Sequence, residues 1–449
     1  MFQVLADADF SSYLVGPSAL EKYFGRPLGG VVWIETEGSL VDLSRVFDGL
    51  IFPGAEYFDA ALESNGRLCL FRCMEGEEKL FRPFQASLQG AFRYDISRDS
   101  FIDPLGAYKF LRAGTLVLPD QGEEGGVGHL LPYPEVSKEL RPWYVAAEIA
   151  LLVSRFAYSL PPARASGNEA SPSAGFLSGY EEKSGRDDFR QGSPGRGDMH
   201  HGDLHHGDLH HGDFRHRDTR RGPDEGASPS STERSKDRRA RLTPLEQRFI
   251  LNGVLTGKNA SAGMQVLMDS GFVEAHWPLL AAMDEVPHSK EQHPEGNVWH
   301  HTLEAFLHRK VIELELSLGL LLHDAGKPFA RESNGNLFDR HAQIGSVKAR
   351  RFLEDLGYSS RTVEAVEFLV KYHMVPGALT KLPVYRTETV MDSPLFPDLL
   401  ELYRCDVSST YRGPDGYYRA CKTYQAFLKN RHNPFRTSDG KKRLRLLVE

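Results

Sequence analysis

From about Pro161 to Arg239 the chain is rich in Gly, Ser, Pro, Asp and Arg and carries few core-forming side chains. A segment of this kind cannot bury enough apolar surface to offset its ordering entropy, so residues 161–240 are expected to be a disordered linker. A chain of 449 residues has room for two or three domains outside this segment. Within the linker a pentapeptide recurs as His200-His201-Gly202-Asp203-Leu204, His205-His206-Gly207-Asp208-Leu209 and His210-His211-Gly212-Asp213-Phe214. Closely spaced imidazoles can chelate a metal weakly. Three copies are too few for a solenoid, and the preferred reading is a short repeat expanded in a tolerant linker.

Before the linker the pattern is mixed α/β. Leu14-Val15, Val31-Val32-Trp33-Ile34 and Leu68-Cys69-Leu70-Phe71 are short β-favouring runs broken by glycine-containing turns. Tyr144 to Tyr158 reads as a helix. After the linker everything reads helical. Thr243 is a suitable N-cap with Pro244 at the first helical position, and Asn297 can cap a helix running through Leu307. Val311 to Leu322 is strongly apolar and stops at Gly326 and Pro328. Helices are expected over Arg340 to Leu356, Arg361 to Tyr372, Leu395 to Cys405 and Tyr417 to Leu428, with apolar stripes that mean core packing.

The chemistry gathers in Leu321-Leu322-His323-Asp324-Ala325-Gly326-Lys327-Pro328, where an adjacent His-Asp pair closes an apolar helix. A change of chain direction there lets both side chains face one ion. His301 lies upstream, with His341, His373 and Asp406 downstream. Imidazole and carboxylate together suit a hard or borderline divalent metal, which lowers the pKa of bound water to roughly 7. In this reading His301, His323, Asp324 and Asp406 hold a first ion, and His341 and His373 hold a second. Asp324 also helps to position water, and Lys327 offers a cation to developing phosphate charge. Mn, Ni, Fe, Mg and Zn are not distinguished, nor is one ion from two.

The order His, His-Asp, His, His, Asp resembles the HD superfamily of metal-dependent phosphohydrolases. The run from about Leu242 to Leu428 is similar to the C-terminal half of bacterial tRNA nucleotidyltransferases and poly(A) polymerases that carry such a domain. Gly263-Met264-Gln265-Val266-Leu267, Ser270-Gly271-Phe272-Val273 and His341-Ala342-Gln343-Ile344-Gly345-Ser346 fit that pattern. His300 and His301 are adjacent, and the resemblance of His293-Pro294-Glu295-Gly296-Asn297-Val298-Trp299-His300-His301-Thr302-Leu303 to a family motif favours His301 as the ligand. Upstream, Tyr13-Leu14-Val15-Gly16, Gly25-Arg26, Tyr94-Asp95, Ile102-Asp103-Pro104-Leu105-Gly106 and Ser154-Arg155-Phe156-Ala157 resemble worn versions of the same family's landmarks. The resemblance implies a multidomain chain. Residues 1–140 form a degenerate nucleotidyltransferase-like α/β domain, and 141–160 a first neck helix. The linker at 161–240 is followed by neck helices at 241–290, an HD domain at 291–430 and a basic tail at 431–449.

Three departures bear on activity. Pro17-Ser18-Ala19-Leu20-Glu21 stands where the family has a second glycine and an Arg-Asp pair. Gly29-Gly30-Val31-Val32-Trp33-Ile34 stands where it has two aspartates flanking one residue on a strand. Phe84-Gln85-Ala86-Ser87 replaces an Arg-Arg-Asp stretch. Nucleotidyl transfer uses such carboxylates to hold magnesium on the triphosphate. Glu35 and Glu37 have the right separation for a displaced pair. The leading expectation is therefore a phosphohydrolase or phosphodiesterase acting on nucleotide or RNA-end phosphoesters. An active RNA 3′-end nucleotidyltransferase and a non-catalytic RNA-binding relic are the alternatives.

The expected partner is a nucleotide or an RNA 3′ end, tRNA included, with no DNA and no membrane. A net charge of -7 argues against a uniformly basic coat but permits a local basic groove. The basic runs Arg238-Arg239-Ala240-Arg241 and Lys441-Lys442-Arg443-Leu444-Arg445 are read as solubilising linker edge and terminus. Cys69, Cys73, Cys405 and Cys421 form neither a disulfide framework nor a zinc pattern, so reduced thiols are expected. Without a basic leader segment or a membrane-length apolar run, the cytoplasm is the default.

Overall fold

The computed structural model describes residues 1–74, 84, 86–118, 139–160, 241–287, 296–333, 336–410 and 413–433. The linker expected at 161–240 with its histidine repeat, the second basic run, and most of both the basic tail and the first basic run lie outside them.

In the N-terminal part, helix α1 (Phe2–Ala6) precedes β1 (Ser12–Val15), α2 (Pro17–Tyr23), β2 (Val31–Thr36) and α3 (Leu40–Val46). Strands β3 (Ala60–Ser64), β4 (Arg67–Cys73), β5 (Arg93–Asp95) and β6 (Ser100–Ile102) come next, then a 3₁₀ turn at Ala107–Phe110. The six strands pair in the order β3-β4-β2-β1-β5-β6, and only β2 and β4 run parallel. Helix α2 starts at Gly16, whose φ of 54° suits a residue without Cβ. Phe84 also lies against Gly16, where a Cβ would meet the ring at 2.3 Å.

Helix α4 (Arg141–Phe156) joins this sheet to the helical part and is buried almost all round. It starts three residues before the stretch legible from apolar periodicity, because Pro142 is tolerated in its first turn. Its Glu148 carboxylate accepts hydrogen bonds from Tyr57 and from the backbone N–H groups of Phe84 (2.6 Å) and Ala86 (3.1 Å). On the helical side Tyr144 donates to Glu246 at 2.6 Å. Gly263 permits the close crossing, since a Cβ there would stand 2.8 Å from the Ala150 carbonyl.

The helical part comprises α5 (Pro244–Leu255), α6 (Ala260–Asp269), α7 (Phe272–His276), α8 (Pro278–Asp284), α9 (Val298–Leu307) and α10 (Leu314–Leu322). Helices α11 (His341–Asp355), α12 (Ser360–Tyr372), α13 (Val375–Ala378), α14 (Val384–Met391), α15 (Phe396–Ser408) and α16 (Asp415–Asn430) complete it. Thr243 and Glu246 form the reciprocal cap that opens α5, and Asn297 caps α9 by accepting from His300 N. Leu316, Leu318, Leu320, Leu321 and Leu322 are all buried, so α10 is the central helix. Two expectations need correction. Helix α10 begins at Leu314, and Val311 and Ile312 before it are exposed. The helical run is also interrupted by a short hairpin, β7 (Arg331–Ser333) with β8 (Asn336–Asp339). No described helix is long and apolar enough to cross a membrane.

Candidate metal centre and the sheet carboxylates

Helix α10 ends at Leu322, His323 caps it, and the following turn points His323 and Asp324 the same way. Gly326 in that turn rests on the start of α11: a Cβ there would lie 2.0 Å from the His341 carbonyl and 2.5 Å from Gly345 N. This contact sets His341 beside the His-Asp pair. His373 caps α12, while His301 and Asp406 arrive from α9 and α15. All six expected ligands therefore meet in one place.

The arrangement is two groups sharing one carboxylate, His301–His323–Asp324 and Asp324–His341–His373. Asp324 Oδ2 lies 3.3 Å from His323 Nε2 and 3.8 Å from His301 Nε2. Its Oδ1 faces His341 Nε2 at 3.5 Å and His373 Nε2 at 3.8 Å. Asp406 Oδ1 is 3.0 Å from His301 Nε2 and 3.9 Å from His323 Nε2. Ligands about 2.1 Å from one ion stand roughly 3.0 Å apart at right angles and roughly 4.2 Å apart across it, a range that includes these spacings for one ion per group.

Each imidazole is oriented from behind. The Nδ1 atoms of His323, His341 and His373 lie 2.8, 2.9 and 2.7 Å from the Leu320, Phe338 and Val370 carbonyls, and that of His301 lies 3.2 Å from Ser409 Oγ. Donation to those carbonyls turns the Nε2 lone pairs toward the centre. The Nε2 of His323 is buried without a hydrogen-bond partner among the described residues. A bound cation would satisfy it. Burial pushes the His373 ring down to about 4 and lowers His341 in the same way, so both are neutral and able to ligate near neutral pH. Burial works to raise Asp324, but the Lys327 ammonium, 2.7 Å away, opposes it and the carboxyl is held well below its ordinary range. The donor set fits a divalent metal.

His301 is buried and faces this centre, whereas His300 is exposed. Ser409 was not foreseen, although it stands three residues beyond Asp406 at the C-cap of α15. The centre opens into a cleft of about 1060 Å³ lined by Lys327, Lys381, Tyr403 and Arg419 among others. That is room for a small ligand.

The sheet carboxylates do not form a matching pair. Glu35 is buried, and Arg93 Nη1 donates to its Oε1 at 2.9 Å. Glu37 lies beyond the end of β2, exposed, with the Tyr13 hydroxyl donating to it at 3.1 Å. Register places Arg72, Glu35, Tyr13 and Asp95 in one row across β4, β2, β1 and β5. Asp95 is committed to the turn after it, accepting from Ser97 and Arg98 N–H groups. Arg93 was also unforeseen, though its position two residues before Asp95 puts both on one sheet face.

Fold and site thus define an α/β domain joined by a buried helix to a helical domain holding a shared-carboxylate His/Asp cluster. No family model matches the chain. Among curated proteins it is 28% identical over 189 residues to a CC-adding tRNA nucleotidyltransferase of Thermus thermophilus, covering 39% of this chain and 42% of that one. It is 29% identical over 113 residues to the Multifunctional CCA protein of Halorhodospira halophila, covering 25% and 27%. The matches span less than half the length of either relative. Solved structures similar to it include the Bacillus stearothermophilus CCA-adding enzyme in complex with CTP, with a TM-score of 0.45, 13% identity, and 95% and 81% of the two chains covered. The Thermotoga maritima CCA-adding enzyme complexed with tRNA gives 0.41, 11%, 96% and 82%.

These relatives overturn the leading expectation of a phosphohydrolase. The matched curated proteins are, by name, a CC-adding tRNA nucleotidyltransferase and a Multifunctional CCA protein, and neither is named as a phosphohydrolase. The hydrolase reading took the His/Asp cluster as the seat of the whole protein's activity. A metal-competent cluster specifies ligands, not a reaction.

Proposed function

We propose that this chain acts at the 3′ end of tRNA as a nucleotidyltransferase, with a nucleoside triphosphate as co-substrate. The observation that carries the reading is the 28% identity over 189 residues to a CC-adding enzyme. In such a transfer the terminal ribose hydroxyl attacks the α-phosphorus, its proton passes to a base, and pyrophosphate leaves. Glu35 and Glu37 are the carboxylates proposed for this work, with Glu37 the accessible member. We also propose that His301, His323, Asp324, His341, His373 and Asp406 hold one or two divalent ions. Such an ion supplies positive charge to a coordinated oxygen, while the chain's own part is to keep His341 and His373 neutral and Asp324 ionised.

One observation favours a second reading, tRNA-end binding without transfer. Glu35 is paired to Arg93, and apolar Val31 and Trp33 occupy the preceding same-face positions of β2. Incubation with labelled CTP or ATP and tRNA lacking its terminal nucleotides decides between them. Incorporation lost in the Glu35→Gln/Glu37→Gln double variant, and in Glu37→Gln alone with its urea midpoint unchanged, supports transfer. Binding of that tRNA without incorporation under any divalent metal supports the second reading, and neither binding nor incorporation refutes both.

A further inference from the structure

Alternation along β5 places Tyr94 on the sheet face opposite Arg93 and Asp95, and that opposite face carries an aromatic bed. The Tyr23 ring lies 5.5 Å from Phe92, 5.6 Å from Phe101 and 5.6 Å from Tyr108. Tyr108 also meets Phe92 edge-on at 5.2 Å, yet is 50% exposed. A tyrosine fixed at its base and open on one side is a rigid stacking surface. Exposed cations lie against neighbouring rings of the same region. Lys22 Nζ sits 4.6 Å from the Tyr94 ring, the Arg26 guanidinium 5.4 Å from Phe24, and Lys109 Nζ 4.9 Å from Phe110.

The nearby carboxylates leave most of this charge available. Asp99 lies 3.8 Å from Lys22, and Asp103 accepts from the Ala107 and Tyr108 backbone N–H groups. Arg26 and Lys109 make no ion pair among the described residues. We infer that the surface formed by α2, β6 and the 3₁₀ turn binds single-stranded RNA, with a base stacked on Tyr108 and phosphates on Arg26 and Lys109. Unpaired RNA fits because it offers base faces and phosphates together, whereas a duplex hides the faces. An acidic protein would use the cations without needing the ring. In a chain of net charge -7 the patch is a local feature.

The inference goes beyond the transfer reading, and it is measured without any nucleoside triphosphate, so the two can fail independently. Anisotropy of a short fluorescein-labelled oligoadenylate is titrated with the full chain at several salt concentrations. Tyr108→Ala should weaken binding about tenfold, the scale of one lost base stack, while Tyr108→Phe binds like the parent. Lys109→Gln should weaken binding and lower the salt slope by about 0.7, one phosphate contact. Melting curves matching the parent's show that the variants are folded, as expected for exposed side chains. Parent-like binding by Tyr108→Ala overturns the inference. Equal displacement of the RNA by inorganic polyphosphate also overturns it and assigns the patch to acidic ligands instead.

Discussion

Arg93 reaches across β1 to donate its Nη1–H to Glu35 Oε1 at 2.9 Å, and both side chains are buried on the same face of the sheet. Removing one member of such a pair leaves the other charge in a poorly solvated place, at a cost of about 3 to 5 kcal/mol. Glu35→Gln and Arg93→Gln should each lower the urea midpoint by that equivalent. The double variant should lose less than the sum of the two, because its members are coupled. Strict additivity would show that the pair does not interact. Glu37 is exposed, so Glu37→Gln should shift stability by under about 0.5 kcal/mol. Any loss of nucleotide incorporation in that variant therefore reports chemistry and not unfolding.

Asp324 is the one side chain shared by both ligand groups, which gives the six candidate ligands unequal weight. Asp324→Asn should abolish binding of manganese at both positions, as read by equilibrium dialysis and elemental analysis. His301→Ala should remove one ion and His341→Ala the other, each leaving its neighbour group intact. Because the unfolded chain lacks the assembled site, saturating metal at about 100 times its dissociation constant should stabilise the parent by about 2.7 kcal/mol. Chelator should lower its melting temperature and leave that of Asp324→Asn unchanged. A parent that binds no divalent ion, or an Asp324→Asn variant that binds as the parent does, would refute the metal assignment.

Much of this centre was legible because its residues cluster at helix ends, where local signals are strong. Gly326 and Pro328 marked the end of the apolar run, Asn297 marked the start of α9, and the His-Asp pair fell between such landmarks. What linear spacing could not show is that Asp324 turns one oxygen to each group, since that depends on Gly326 closing against Gly345. The β7–β8 hairpin escaped because its residues lack a two-residue apolar alternation, although Asn334-Gly335 in the sequence is a hairpin turn signal. The Glu35/Glu37 pair was read from separation alone. Separation fixes the sheet face but says nothing of Arg93, which comes from a strand 58 residues away. Function was read from the strongest local motif, and the similarity to tRNA nucleotidyltransferases corrected it.

His276 provides a test of the helical domain that is independent of any ligand. It lies at the end of α7, stacked on Phe272 with ring centroids 4.4 Å apart, and its Nε2 accepts from Leu242 N at 3.2 Å. Its Nδ1 lies 3.2 Å from the Phe272 carbonyl, so the neutral ring already uses both nitrogens and a second proton would displace the Leu242 donor. Burial pushes the group down to about 4, below its ordinary 6.5. As pH falls the unfolded chain takes up the proton first, so the contribution to stability is complete above about 6.5 and is lost progressively toward about 4. The full loss is about 3 kcal/mol by the ordinary conversion of pKa to free energy. His276→Gln should be less stable near neutral pH but lose less stability than the parent on acidification through this window. Subtracting the two urea-midpoint profiles removes the acid sensitivity contributed by His341 and His373. Parallel profiles for parent and variant would mean that His276 titrates alike in the folded and unfolded chain, and that its buried ring does not hold the neutral form.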